Sequence, residues 1–281
     1  MGSTSSFINY TYLSIENNKV SNKLYIIKIG GNIIDDEIKF SSFLKEFSAI
    51  KAKKILVHGG GKLATKMAEK MGIEQKLVDG RRITDAETLK IVTMVYAGYI
   101  NKNIVAQLQA NNCNAVGISG ADGNAILAHK RLNTAIDYGF AGDIDLINVN
   151  FFKSLLDHEL TIVVAPITHD KKGQILNTNA DTIAQELAKA LSEDYEVQLI
   201  YSFEKSGVLL DTDDDATVIS RIKPSSYQQL KDDKKIFAGM IPKLDNAFAA
   251  INNGVKKVII GKAEELNELI TGTKGTTIVN E

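Results

Sequence analysis

Two glycine-rich turns, each with a lysine close by, carry the clearest chemical signal in this chain. Residues 55–62 read ILVHGGGK, three adjacent glycines straight after an apolar run, and residues 25–32 read YIIKIGGN, with Lys28 two positions before Gly30. Glycine loses more backbone freedom on folding than any other residue, so such clusters point to backbone N–H groups that must approach something closely. An anion held at helix N-termini is one such partner. Lys28 would lie near enough to touch the same anion, whereas a strand-end lysine without that role would snorkel to solvent.

Two known glycine motifs compete with this reading. A Walker-type P-loop fails, because Lys62 is followed by Leu63 instead of Ser or Thr and no glycine stands five positions before Gly61. A dinucleotide site fares better, since Gly59, Gly61 and Ala64 satisfy G-x-G-x-x-A and the acidic Asp79 lies downstream. Against it, Asp79 belongs to an Asp-Gly pair that suits a tight turn, and the second glycine pair is left unexplained.

The elements that position these turns follow from periodicity. Short β-branched runs alternate with amphipathic stretches, LYIIKIG, FSSFLKEFSAIKA, KKILVHG and KLATKMAEKMG, the pattern of βαβ units in a parallel sheet. The class is α/β. Asp79-Gly80 predicts a hairpin, and a long helix is predicted from Thr84 as its cap, with Leu89, Val92, Val95, Tyr96 and Tyr99 near one face. NAVGISG and AILAHKR around GADG predict a second hairpin, and LTIVVAPIT a buried central strand. ILNTNADTIAQELAKAL is an extended piece ending at Asn179, the expected N-cap of a helix; strand signals recur at VQLIYSF, GVLL, KKVIIG and GTTIV.

A boundary is expected near residue 190, where EDYE is polar and a fresh βαβ set follows, with the two lobes sharing a cleft because no Pro/Gly/Ser-rich spacer separates them. Residues 1–22 read as a polar extension without signal-peptide features. The acidic run DTDDDA reads as a solvated loop. With 33 basic against 34 acidic residues and no basic block interleaved with aromatics, a nucleic-acid partner is not expected. The longest apolar runs fall far short of the roughly 20 residues a membrane span needs. One cysteine, Cys113, and four scattered histidines favour a cytoplasmic chain without disulfide or structural zinc.

KIGGN, HGGGK, GRRITD, GISGADG, LNTNAD and GMIPKL occur in the order expected of the amino acid kinase family, which the chain resembles from about Leu24 to its C-terminus. The resemblance is to the branch that phosphorylates the side-chain carboxylate of an N-acylated glutamate in arginine biosynthesis. It implies a three-layer αβα sandwich with a mainly parallel central sheet. Residues 23–190 would bind the acylglutamate and dimerise, and residues 191–281 would bind the nucleotide.

By the same resemblance, Lys28 and Lys243 contact the phosphoryl group in transfer and Asp181 holds the two lysines in place. Arg82 grips the α-carboxylate, for which a guanidinium fork is suited, and Asn177 assists. The amides of Gly60 and Gly61 face the reacting carboxylate, and those of Gly30, Gly31 and Gly239 the phosphates. The Asp79-Gly80 hairpin becomes a lid that excludes water. A glutamate carboxylate, which ordinarily titrates at about 4.3, is already a nucleophile at neutral pH, so no general base is required. ATP is the donor, and Mg2+ arrives with it.

Departures from the family pattern are local. Arg81 stands where relatives carry an aliphatic residue, Lys62 where they carry proline, and Ala121 where lysine is common; Tyr201-Ser202 replaces a Thr-Asp pair, which affects the adenosine contacts. Arg81 or Lys62, with Arg81 favoured, could meet the extra carboxylate of an N-succinyl group; the alternative is that Arg81 faces solvent. A homodimer without arginine feedback is expected, because ELITGTKGTTIV lacks the longer glycine-rich ending of arginine-inhibited relatives.

Overall fold

The computed structural model describes residues 22–78, 81–132, 135–233, 235–236 and 240–280. Its strands, in chain order, are β1 (Lys23–Ile29), β2 (Lys53–His58), β3 (Leu77–Val78), β4 (Arg81–Arg82), β5 (Ala115–Ile118), β6 (Ile126–Lys130) and β7 (Ala141–Ile147). They continue as β8 (Thr161–Val164), β9 (Ile167–His169), β10 (Ile175–Thr178), β11 (Glu196–Phe203), β12 (Arg221–Ile222), β13 (Lys257–Lys262) and β14 (Thr276–Ile278). Eight of them form one sheet in the order β12-β14-β13-β11-β1-β2-β8-β5. Its pairs are parallel except for β13 with β14. Strands from both ends of the sequence meet at its centre, where Lys28 of β1 pairs with Tyr201 of β11 and Val57 of β2.

Period-two alternation sends β1 into two cores. Leu24 and Ile26 join one apolar cluster with the helices Val149–Asp157, Ala180–Leu191 and Ile241–Asn252. Tyr25, Ile27 and Ile29 join the other, with Glu37–Ala49, Gly61–Lys70 and Leu266–Thr271. A strand apolar on both faces must be covered on both, and helices on each side make the αβα sandwich. Among the described residues no helix is long and apolar enough to cross a membrane.

A smaller closed layer of four strands, β10-β7-β6-β9, stands beside the main sheet, and β3 pairs with β4 as a separate antiparallel hairpin. Asp79 and Gly80, expected from sequence to form the turn, and residues 1–21 lie outside the described residues.

Several local expectations need correction. NAVGISG and AILAHKR do not form a hairpin: β5 pairs with β8 in the main sheet and β6 with β7 and β9. A 3-10 turn at Asp122–Asn124 redirects the chain between them. LTIVVAPIT is two strands, because Pro166 has no N–H to continue the ladder and the chain leaves the main sheet after Val164. GVLL contributes only an isolated bridge, Leu209 with Val218. The long helix is capped by Asp85, which accepts from Thr88 N–H, while Thr84 is fully buried. A π-helical segment, Met94–Ile100, then changes the helical phase, which leaves Tyr99 65% exposed instead of on the apolar face.

Candidate active site

Because β1, β2, β8 and β11 run parallel, the turns that follow them emerge on one edge of the sheet, where open α/β sheets place their ligands. The ladder extends one step beyond β2, with Gly59 N–H donating to Ile29 O at 3.0 Å. A Cβ built on Gly31 would lie 3.8 Å from the Gly61 nitrogen, so the two glycine turns are neighbours. Gly60 has φ of 150°, and a Cβ there would run into Ile100 and the Tyr96 ring. That explains the residue type at the middle of the turn. Gly61 opens the helix Gly61–Lys70, whose first amides have no acceptor within the helix.

Charge is concentrated beside these turns. Lys28 Nζ lies 2.8 Å from Asp181 Oδ1, with Lys28 only 8% exposed. Asp181 sits in the first turn of Ala180–Leu191, where the Asn179 side chain accepts from Asp181 N–H at 2.8 Å and Thr182 N–H at 3.1 Å. Asn179 is thus the N-cap expected from sequence. Lys243, in the first turn of Ile241–Asn252 after Pro242, brings its Nζ to 3.9 Å from the Phe203 ring centroid; Lys28 Nζ is 5.3 Å from the same centroid. Burial holds the Lys243 ammonium below its ordinary pKa, the Lys28 charge adds to this, and Asp181 opposes it.

The glycine turns form one wall of a cleft of about 270 Å³. Arg82 lies on it, with Nη2 donating to Gly61 O and to Thr65 Oγ1 at 2.9 Å each and Nη1 to Gln75. Asn177 is held by donation to Thr84 Oγ1 at 3.0 Å, which gives the buried threonine its purpose. Arg131 also lines the cleft, paired with Asp143 and stacked 5.6 Å from the Tyr138 ring centroid. The Arg131 hydrogen bonds hold the Asp143 carboxyl below its usual range, with His129 and Arg81 contributing smaller effects.

Lys28, Gly30, Gly31, Gly60, Gly61, Arg82, Asn177 and Asp181 therefore line one cleft. Lys243 lines an adjoining depression that shares Lys28, Gly30, Gly31, Gly61, Arg82 and Asp181 with it and also contains Lys62. Gly239 lies outside the described residues. Arg81 is exposed but lines the cleft, so it faces both solvent and the site. Ala121 is exposed and lines neither. Sequence reasoning missed Arg131, Tyr138, Tyr96 and Phe203. Nothing local marks the first three, whereas Phe203 directly follows the Tyr201-Ser202 pair that departs from the family pattern.

Among the described residues no cluster of three His, Cys, Asp or Glu could hold a metal ion; the carboxylate beside the glycine turns, Asp181, has Oδ1 2.8 Å from Lys28 Nζ.

The sequence profile of the amino acid kinase family matches residues 23–262. An acetylglutamate kinase of Cytophaga hutchinsonii is 58% identical over 260 residues, 92% of this chain and 98% of the relative. Acetylglutamate kinases of Phocaeicola vulgatus and Methanopyrus kandleri are 53% and 37% identical, covering 88% and 86% of this chain and 96% of each relative. A crystal structure of a Streptococcus mutans protein aligns with a TM-score of 0.74 at 27% identity, over 92% of this chain and 99% of that one. Carbamate kinase of Giardia lamblia, at 16% identity and a TM-score of 0.64 over 93% of this chain and 99% of its own, shares the fold. With paired glycine turns, two lysines and an aspartate gathered at one sheet edge, and with relatives aligned over nearly its whole described length, this chain belongs to the amino acid kinase family.

Proposed function

We propose that the chain transfers the γ-phosphoryl group of ATP to the side-chain carboxylate of N-acetyl-L-glutamate, the activity for which its curated relatives are named. The observation that carries this reading is the Lys28–Asp181 pair at 2.8 Å beside the two glycine turns. The acceptor carboxylate is already anionic, so the task is to overcome its repulsion from the donor phosphates. Lys28 and Lys243 supply positive charge from two directions, and Asp181 keeps Lys28 in place. The Gly60 and Gly61 amides face the acceptor, while those of Gly30 and Gly31 face the nucleotide. Arg82 grips the α-carboxylate and Asn177 orients the substrate. Mg2+ enters as part of the nucleotide, neutralising phosphate charge when bound.

The lobes divide near residue 190, with the nucleotide on the C-terminal side, and the protein works in the cytoplasm as a homodimer without arginine feedback. Light scattering that gave a hexamer, or inhibition by arginine, would contradict the last two. An ATP-dependent hydroxamate assay across acetylglutamate, succinylglutamate, glutamate, aspartate, carbamate and UMP tests the reaction itself. Activity confined to carbamate or UMP would sink the reading.

The Arg81 side chain in the cleft favours a second acyl group as substrate. N-succinylglutamate carries one more carboxylate, which Arg81 would meet. Arg81→Leu should then lose succinylglutamate turnover selectively, by about 1.5–3 kcal/mol for one charged hydrogen-bonding partner. Equal loss on both substrates would remove the idea.

A further inference from the structure

A buried polar cluster stands behind the second glycine turn. His58, the last residue of β2, has no exposed surface, and neither has Asn101. His58 Nδ1 lies 2.8 Å from Gly59 O; a carbonyl only accepts, so Nδ1 carries the ring proton and donates. Nε2 is then a bare acceptor for the Asn101 amide at 3.3 Å, whose other hydrogen goes to Val163 O on β8 at 3.0 Å. Asn101 Oδ1 accepts from Lys102 Nζ at 3.1 Å, and that ammonium also donates to Gly117 O on β5 at 2.7 Å. The cluster is fully matched only with neutral His58. Burial, helped by the Lys102 charge, brings the imidazole pKa down to about 4, so the matched form is the one present at neutral pH.

The same stretch of helix holds the turn from its other side. Tyr96 and Ile100, on the π-helical segment just before Asn101, pack against Gly60. In a planar trans peptide the C=O of Gly59 and the N–H of Gly60 point in opposite directions. A Gly59 carbonyl drawn towards His58 therefore leaves the Gly60 N–H pointing away from the buried cluster, and Gly60 itself lines the cleft.

We propose that His58 is a positioning residue for phosphoryl transfer: its Nδ1–H bond to Gly59 O, steadied by Asn101, keeps the Gly60 N–H aimed at the anion in the cleft. Three successive glycines could otherwise sample many peptide orientations, and the clasp selects one. The inference rests on the phosphoryl-transfer reading above.

The test compares wild type with His58→Asn, whose amide can replace the Nδ1 donor, and His58→Gln, whose longer amide reaches the Nε2 position instead. His58→Leu, which has no donor, is added. kcat and KM for acetylglutamate and ATP are measured beside the melting temperature. Aimed amides act on charge that develops in the transition state, so kcat should fall about 10- to 100-fold in His58→Leu and His58→Gln, with each KM within about threefold of wild type. His58→Asn should recover to within about fivefold of wild type. If His58→Leu does not fold, the Asn and Gln pair decides the matter alone. Wild-type kcat in His58→Gln, or losses in all variants that follow melting temperature regardless of donor position, would overturn the proposal while leaving the reaction standing. A wild type inactive on every acylglutamate would overturn both.

Discussion

The ammonium of Lys243 rests 3.9 Å from the centroid of the Phe203 ring, and Lys28, from the other half of the sequence, lies 5.3 Å from the same centroid. One aromatic ring thus sits beside both of the cations proposed to contact the transferring phosphate. Cation–π attraction is worth about 0.5–2 kcal/mol, more where water is excluded, which is enough to bias a flexible lysine. Phe203→Leu should lower kcat/KM for ATP by about 3- to 30-fold while Phe203→Tyr changes it little. Equal kinetics for the two variants would remove Phe203 from the site's electrostatics.

The lysines themselves should matter more. Lys28→Ala and Lys243→Ala are each expected to reduce turnover by about a hundredfold or more, since preorganised charge at a transition state is worth a few kcal/mol. Circular dichroism should show the fold intact. Near-normal turnover in either variant would refute its role.

Gly60 tests the turn geometry. At φ of 150° an alanine is strained by about 1–3 kcal/mol, and its methyl would meet Ile100 and Tyr96. Gly60→Ala should therefore lose both melting temperature and turnover, whereas Gly72→Ala, also at positive φ but with open space around it, should cost stability alone. Retained turnover in Gly60→Ala would show that the turn tolerates another path.

His58 also makes a pH prediction. Its imidazole titrates near 4 in the fold against an ordinary 6.5, so between those values the unfolded chain binds a proton that the native chain does not. This contribution to stability is complete above about pH 6.5 and is lost progressively as pH falls towards 4. Over that window it reaches up to about 3 kcal/mol. Denaturant melts at pH 7.5 and pH 5 should show a larger acid loss for wild type than for His58→Leu. An equal loss would mean that His58 does not stay neutral in the fold.

Much of this architecture is legible in the sequence because its signals are local. The short β-branched runs LYIIKI and KKILVH, the glycines after them, and the Asn179 cap each depend on a few adjacent residues, and backbone geometry converts them directly into strand, turn and helix start. Once the strands are parallel and adjacent, Lys28 and the glycines must share an edge. Pairing between distant segments is not encoded that way. Whether AILAHKR joins β5 or the four-stranded layer depends on which partner is available at the edge, and both outcomes satisfy the same apolar pattern. Arg131 and Tyr138 enter the cleft only because that layer stands beside the glycine turns, and Thr84 holds Asn177 across 93 residues of chain. The π-helical segment is likewise a tertiary product, an irregular turn that sets Tyr96 and Ile100 on Gly60 and Asn101 on His58. Sequence alone determined which groups could bind an anion at the sheet edge; long-range packing decided which others surround it, because register and layer contacts form between residues that local periodicity cannot relate.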